Sequence, residues 1–235
     1  MPPKPISLRD LLKRFETRAL LLWFALAGSI WAFLGIAGEM AEGELTAVDR
    51  RILLALRNPA DLADPIGPKW FEESMRDMTA LGGVTVLTLV VIVASLILVF
   101  HRKRPQALVF LATMAATFAS SEVLKHIYDR PRPDLVPHGS YVYSASFPSG
   151  HSTLSAATYL TLATVIASLE PERGTKFLIY AVTVLMVIGI GFSRIYLGVH
   201  WPSDVLAGWS LGAAWAFLAW IGLNRLTRPA REPAN

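Results

Sequence analysis

Three polar clusters each stand at the end of a long apolar run. They are Lys125 with Arg132-Pro133, then Pro148-Ser149-Gly150-His151, then Ser193-Arg194 with His200 and Asp204. Charges beside hydrocarbon are costly and rarely sit at membrane depth without a task. Two imidazoles, three fixed cations and one carboxylate suit metal-free cleavage of a phosphate ester, where catalysis is mostly positioning and electrostatics. Lys125, Arg132 and Arg194 supply donors for the equatorial oxygens, and each arginine can grip two of them. Ser149 and Gly150 open a helix whose exposed N–H groups favour phosphate, and Gly150 lets the anion approach the backbone.

His200 and Asp204 are four residues apart across Pro202, a spacing that lets the carboxylate hold one imidazole nitrogen and free the other to attack phosphorus. His151 has no carboxylate in its motif and suits the general acid for the leaving oxygen. The two rings must then begin in opposite protonation states. Any one cluster alone has an ordinary reading: a snorkelling lysine, a helix-end His–Asp contact, a helix start. Their coincidence on one side of a bilayer is what points to catalysis.

The elements that must position them follow from composition. The 235-residue chain is 53% hydrophobic and 17% charged, with a mean hydropathy of +0.44, which indicates an integral membrane protein. Net charge is +4, but the basic residues form no stripe with interleaved aromatics, which argues against a nucleic-acid partner. The absence of cysteine excludes disulfides, thiolate catalysis and cysteine metal sites.

Apolar runs cover Ala19–Gly38, Gly82–Phe100, Gln106–Val123, Ser152–Leu169, Phe177–Phe192 (continuing through Leu197) and Val205–Leu223. At about 1.5 Å per residue such runs cross a core of about 30 Å. The first run exceeds the usual apolar length of a cleaved signal peptide and is read as a retained span. The fold expected is an all-α bundle of six transmembrane helices. Between the first two spans, residues 39–81 carry two amphipathic pieces, Val48/Ile52/Leu53/Leu56 and Trp70/Phe71/Met75/Met78. These are expected to lie in the membrane interface. The organisation expected is a polar N-terminal segment 1–18, two spans within 19–104, a four-span catalytic core 105–223 and a polar tail 224–235.

Thirteen Lys and Arg fall on the side holding both termini and nine on the other, three of the nine being Lys125, Arg132 and Arg194. The termini are therefore expected in the cytoplasm and all three clusters on the extracytoplasmic face.

Lysine, six residues, Arg-Pro; Pro-Ser-Gly-His; Ser-Arg, five residues, His, three residues, Asp: these spacings resemble the three-part signature of the type 2 phosphatidic acid phosphatase superfamily, whose members also include bacterial acid phosphatases and vanadium haloperoxidases. The resemblance covers roughly residues 105–223, with no motif position missing. It implies that Lys125, Arg132, Ser149, Gly150 and Arg194 bind phosphate, that His151 is the acid, His200 the nucleophile and Asp204 its orienting partner. It also implies the membrane branch, acting on lipid phosphates and pyrophosphates in a bacterial inner membrane.

Ser193 and Arg130 are accessory positions. Salt bridging is the favoured reading of Arg130, with contact to a second phosphate as the alternative. Asp129 and Asp134 read as loop ion pairs, His126 and His138 as surface residues, and Tyr141, Tyr143 and Phe147 as a headgroup entrance or an interfacial belt. No cofactor or metal is expected, since cations crowd the pocket. Candidate substrates are phosphatidic acid, phosphatidylglycerol phosphate and polyprenyl diphosphate. The competing functions are a lipid phosphotransferase, a non-enzymatic lipid-phosphate carrier and a metalloenzyme.

Overall fold

The computed structural model describes residues 8–138 and 144–226. Tyr141 and Tyr143, and the tail cations Arg228 and Arg231, lie outside the described residues. The chain runs α1 (Leu8–Glu42), α2 (Thr46–Ala55), β1 (Arg57–Asn58), β2 (Asp61–Pro65), α3 (Lys69–Ala80), α4 (Val84–Phe100), α5 (Arg104–Tyr128), α6 (Gly150–Leu169), α7 (Arg173–Tyr196) and α8 (Pro202–Leu226).

Among the described residues, five helices are long and apolar enough to cross a membrane: α1 over Ala19–Ala41, then α5, α6, α7 and α8. The 17-residue α4 joins α3 across a 47° bend, and a sixth span results where that bent pair is taken as one. Five to six spans therefore follow. The all-α expectation needs one correction: β1 and β2 form a small antiparallel pair, with Arg57 opposite Pro65 and Asn58 opposite Asp61. Asn58 and Asp61 close its turn through their own side chains, accepting from the N–H groups of Ala60 and Ala63 at 3.1 and 2.9 Å.

Lipid-facing residues such as Leu21, Phe24, Trp31, Phe100 and Phe177 remain exposed on the outside of the bundle. The centre is α6, the most enclosed of the spans. Its face of Ser152, Thr153, Ala156 and Ala157 meets Gly208 and Gly212 of α8, so close that a Cβ on Gly208 would stand 2.8 Å from the Ser149 carbonyl oxygen. Small residues allow this approach where apolar lipid gives no hydrophobic drive to associate.

The connection between α1 and α4 is anchored to this bundle. On α2, Asp49 and Leu53 are buried while Val48 and Ile52 stay exposed, so the inward face differs from the apolar face read in the sequence. On α3, Phe71 and Met75 pack against Tyr196, Leu197 and Val199 at the end of α7. That part of its apolar face is covered by protein. Tyr159 of α6 donates to the Leu81 carbonyl in the bend at 2.7 Å.

Helix ends set the site. α5 stops at Asp129, which adopts φ 38° and returns its N–H to the Lys125 carbonyl. After α7 the chain turns at Gly198 with φ 71°. A side chain there would meet Val136 and come within 2.9 Å of Arg57 Nη2, so both conformation and space call for glycine. Arg57 in turn donates to the Tyr196 carbonyl at 2.7 Å, satisfying an orphan acceptor at the end of α7.

Candidate active site

The C-terminal ends of α5 and α7 and the N-terminal ends of α6 and α8 meet at one end of the bundle. There they bring together Lys125, Arg132, Gly150, His151, Arg194 and His200 around a cavity of about 200 Å³. Glu122, Ser144, Gly82 and the apolar Val84, Phe118 and Leu154 complete its lining.

His200 is 2% exposed and sits between α7 and α8. Its Nδ1 lies 3.4 Å from Asp204 Oδ2 and 3.3 Å from the Ser146 hydroxyl. Nε2 lies 3.1 Å from Arg132 Nη1. A guanidinium can only donate, so the network assigns Nε2 as acceptor and the ring proton to Nδ1, facing Asp204. Burial pushes the imidazole down from 6.5 to about 4, with the Asp204 contact opposing and Arg194 and Arg132 reinforcing the fall. The ring is therefore neutral at pH 7.

Asp204 is fully buried in the first turn of α8. Oδ2 accepts from the Trp201 N–H at 2.9 Å and from the Ser146 hydroxyl. Oδ1 accepts from Arg130 Nη1 at 2.5 Å. A buried carboxylate held by this many donors has a fixed orientation.

Arg132 Nε donates to the Ser144 carbonyl, and Nη1 to the Val199 carbonyl, each at 2.8 Å. Arg194 is 2% exposed and gives Nη1 to Thr79 Oγ1 at 2.8 Å, while its buried Nε has no partner among the described residues. Lys125 pairs with Glu122 at 2.7 Å. A Cβ on Gly150 would stand only 3.2 Å from Lys125 Nζ, so the ammonium hangs over the start of α6. That is the positive end of the helix dipole, an unfavourable place for a cation unless an anion lies between them.

Other sequence candidates sit differently. Ser149 is buried, accepts from the Ser152 hydroxyl at 3.1 Å and donates its N–H to the Asp204 carbonyl. Ser193 turns back to the Ile190 carbonyl at 2.6 Å. Arg130 is committed to Asp49, Ser203 and Asp204. His138 contacts the Pro133 carbonyl at 2.7 Å, and Phe147 is fully buried against Phe33 and Tyr128. Sequence reasoning missed Asp49, Ser146, Thr79 and Glu122. Glu122 alone left a signal, one helical turn before Lys125.

Among the described residues, no three histidine, aspartate or glutamate side chains are grouped to hold a metal. A larger cavity of about 370 Å³ lies at the opposite end, lined by Lys103, Lys176, Tyr180 and Trp220 among others, with neither histidine nor carboxylate among the described residues.

Comparison with known proteins supplies the family. A model of the PAP2 superfamily matches residues 106–228. Phosphatidylglycerophosphatase B of Bacillus subtilis is 35% identical over 152 residues, 63% of this chain and 73% of that protein. Undecaprenyl-diphosphatase of Sulfolobus acidocaldarius is 28% identical over 132 residues, 54% of this chain and 60% of that protein. The crystal structure of a transmembrane PAP2-type phosphatidylglycerolphosphate phosphatase from Bacillus subtilis superposes with a TM-score of 0.76 at 28% identity, covering 88% of this chain and all of that one. With more than half its length matched and the fold shared, this chain belongs to the PAP2 superfamily, as a multi-pass membrane member whose relatives are phosphatases.

Proposed function

We propose that the protein hydrolyses lipid phosphates at the extracytoplasmic face of a bacterial inner membrane, through a phosphohistidine on His200. The observation that carries this reading is the convergence of Lys125, Arg132 and Arg194 on the cavity that also holds both imidazoles, with the buried Arg194 Nε left without a partner among the described residues. A buried cationic donor lacking a partner is costly, and a phosphate oxygen would satisfy it.

In the first half-reaction His200 Nε2 attacks phosphorus while the bond to the lipid oxygen breaks. His151 gives its proton to that oxygen. Asp204 holds the Nδ1 proton and stabilises the cationic ring. Water then attacks the phosphohistidine, His151 taking its proton, and phosphate leaves. Proton transfer of this kind contributes about 10²–10⁴-fold.

Lipid rather than soluble substrate is supported by the cavity wall. Val84 of α4 and Phe118 of α5 line it and are 60% and 49% exposed on the lipid-facing surface. A tail can therefore lie between α4 and α5 while the headgroup reaches the cations. In this reading six helices span, α4 with α3 being the sixth, residues 105–223 form the catalytic core, and the exposed Val48 and Ile52 rest α2 on the outer interface. Both termini are cytoplasmic. The names of the relatives favour phosphatidylglycerol phosphate and polyprenyl diphosphate as substrates to try first.

The test is phosphate release from lipid monophosphates and diphosphates in detergent, with chelator present. Wild type should release phosphate and carry an alkali-stable phosphoryl group on His200, and His200→Ala should do neither. Release without any trapped histidine would remove the covalent step, and no release from any lipid phosphate would remove the reading.

A further inference from the structure

Asp49 stands outside the family-matched segment, on a short helix that spans nothing, yet it is 2% exposed and tied to the catalytic end of the bundle. Its Oδ1 accepts from the Ser203 N–H at 2.9 Å, and Oδ2 from the Ser203 hydroxyl at 2.5 Å and Arg130 Nη2 at 2.8 Å. Arg130 then gives Nη1 to Asp204 Oδ1 at 2.5 Å and to Ser203 Oγ at 2.7 Å. Arg130 thus lies between two carboxylates, and Ser203 adjoins the one that faces His200.

A buried ion pair is poor value for stability, since well-packed apolar groups of the same size often do better. Here an apolar residue at position 49 would leave Arg130 to Asp204 alone. The guanidinium would then pull on the carboxylate from one side only, away from His200. With Asp49 present, Arg130 is held from both sides, its charge is offset, and Oδ2 of Asp204 is left to face the imidazole.

We propose that Asp49 is a positioning residue for catalysis, acting through Arg130 and Ser203 on the orientation and charge of Asp204, so that α2 is part of the catalytic apparatus. The proposal rests on His200 being the nucleophile.

The sign of a pH shift separates this role from a merely structural one. The charged and titratable groups around His200 are Asp204 on α8, Arg194 on α7, His151 on α6, Lys125 on α5, and Arg130 and Arg132 in the following connection, with Asp49 behind Arg130. Asp49→Asn keeps the shape and removes one negative charge, which makes the imidazolium less favourable. The acid limb of kcat/KM should move to lower pH relative to wild type, a difference in which the substrate's own ionisation cancels. Simple loosening would instead admit water, relieve the burial that depresses the ring, and move the limb to higher pH.

The experiment compares wild type, Asp49→Asn and the double variant Asp49→Asn/Arg130→Gln in detergent, by kcat, KM and the pH profile. The His200 titration is followed in parallel by nitrogen NMR of histidine-labelled protein, which needs no turnover. Asp49→Asn should lower kcat about ten- to a hundredfold, the size expected of a small misplacement of a reacting group. KM should stay within about twofold, because no phosphate ligand is touched. The His200 titration should move to lower pH, and the double variant should bring it back toward wild type by removing the cation as well. Wild-type kcat in Asp49→Asn, a shift to higher pH, or failure of both variants to fold would each overturn the proposal. If wild type releases no phosphate, the hydrolase reading fails, and the NMR titration still decides whether Asp49 sets the charge at His200.

Discussion

His200 Nε2 lies 3.1 Å from Arg132 Nη1. In the proposed reaction the lone pair that would attack phosphorus is thus occupied, in the free protein, by a cation that also lines the cavity. In that reading substrate oxygens draw the guanidinium off the ring, so binding and exposure of the proposed nucleophile are one event. Arg132→Lys keeps the charge but loses the flat fork that reaches Ser144, Val199 and His200 together. kcat/KM should fall about ten- to a hundredfold, the value of one or two charged hydrogen bonds. Steady-state kinetics near wild type would rule out a grip on phosphate by Arg132.

Glu122 stands 2.7 Å from Lys125 Nζ and lines the same cavity. In the proposed reading it competes with a phosphate dianion for the ammonium. Its side chain is 39% exposed, so the pair is worth only about 0.2–1 kcal/mol. Glu122→Gln should therefore lower KM by at most about fivefold, with kcat little changed, and the gain should shrink in high salt. A raised KM would mean that Glu122 orients Lys125 rather than opposing the substrate.

Gly150 offers a test that separates activity from stability. At the first position of α6 alanine costs the helix nothing relative to glycine, whose disadvantage reaches about 1 kcal/mol only in a helix interior. Its Cβ, however, would stand 3.2 Å from Lys125 Nζ and displace the ammonium. Gly150→Ala should unfold no earlier than wild type on heating in detergent, while kcat/KM falls at least about tenfold. Equal activity would show that Lys125 need not sit over the start of α6.

The His200 ring also links stability to pH. Its pKa is about 4 in the folded protein against 6.5 ordinarily. Between those values the unfolded chain binds more protons than the folded one, so stability rises with pH through this window. The contribution is complete above about pH 6.5 and is lost as the pH falls toward 4. The unfolding temperature should drop across that range in wild type, and the slope should be shallower in His200→Gln. Identical slopes would mean that the ring is not held neutral by burial.

Much of this was legible in the chain itself. Apolar runs long enough to cross a bilayer put α1, α5, α6, α7 and α8 close to where the sequence indicated, because lipid demands continuous hydrophobicity and internally satisfied backbone. Alternation of direction then brings every second helix end to one side, so Lys125, His151, Arg194 and His200 had to share an end of the bundle. Residue type and spacing gave the His200–Asp204 pair, since four residues at a helix start face one another.

The tertiary structure decided what supports that pair. Asp49 reads as one more acidic residue in a polar connection until α2 turns it inward to Arg130 and Ser203, 154 residues further along. Ser146 and Thr79 are equally unmarked, and each gained its partner only when distant segments packed together. The inward face of α2 carries Asp49 beside the fully buried Leu53 and its outward face Val48 and Ile52, so the apolar residues are split between the two faces. Periodicity records which side is apolar, whereas a chain beside lipid can turn its apolar side outward and bury charge, provided each charge finds a fixed opposite.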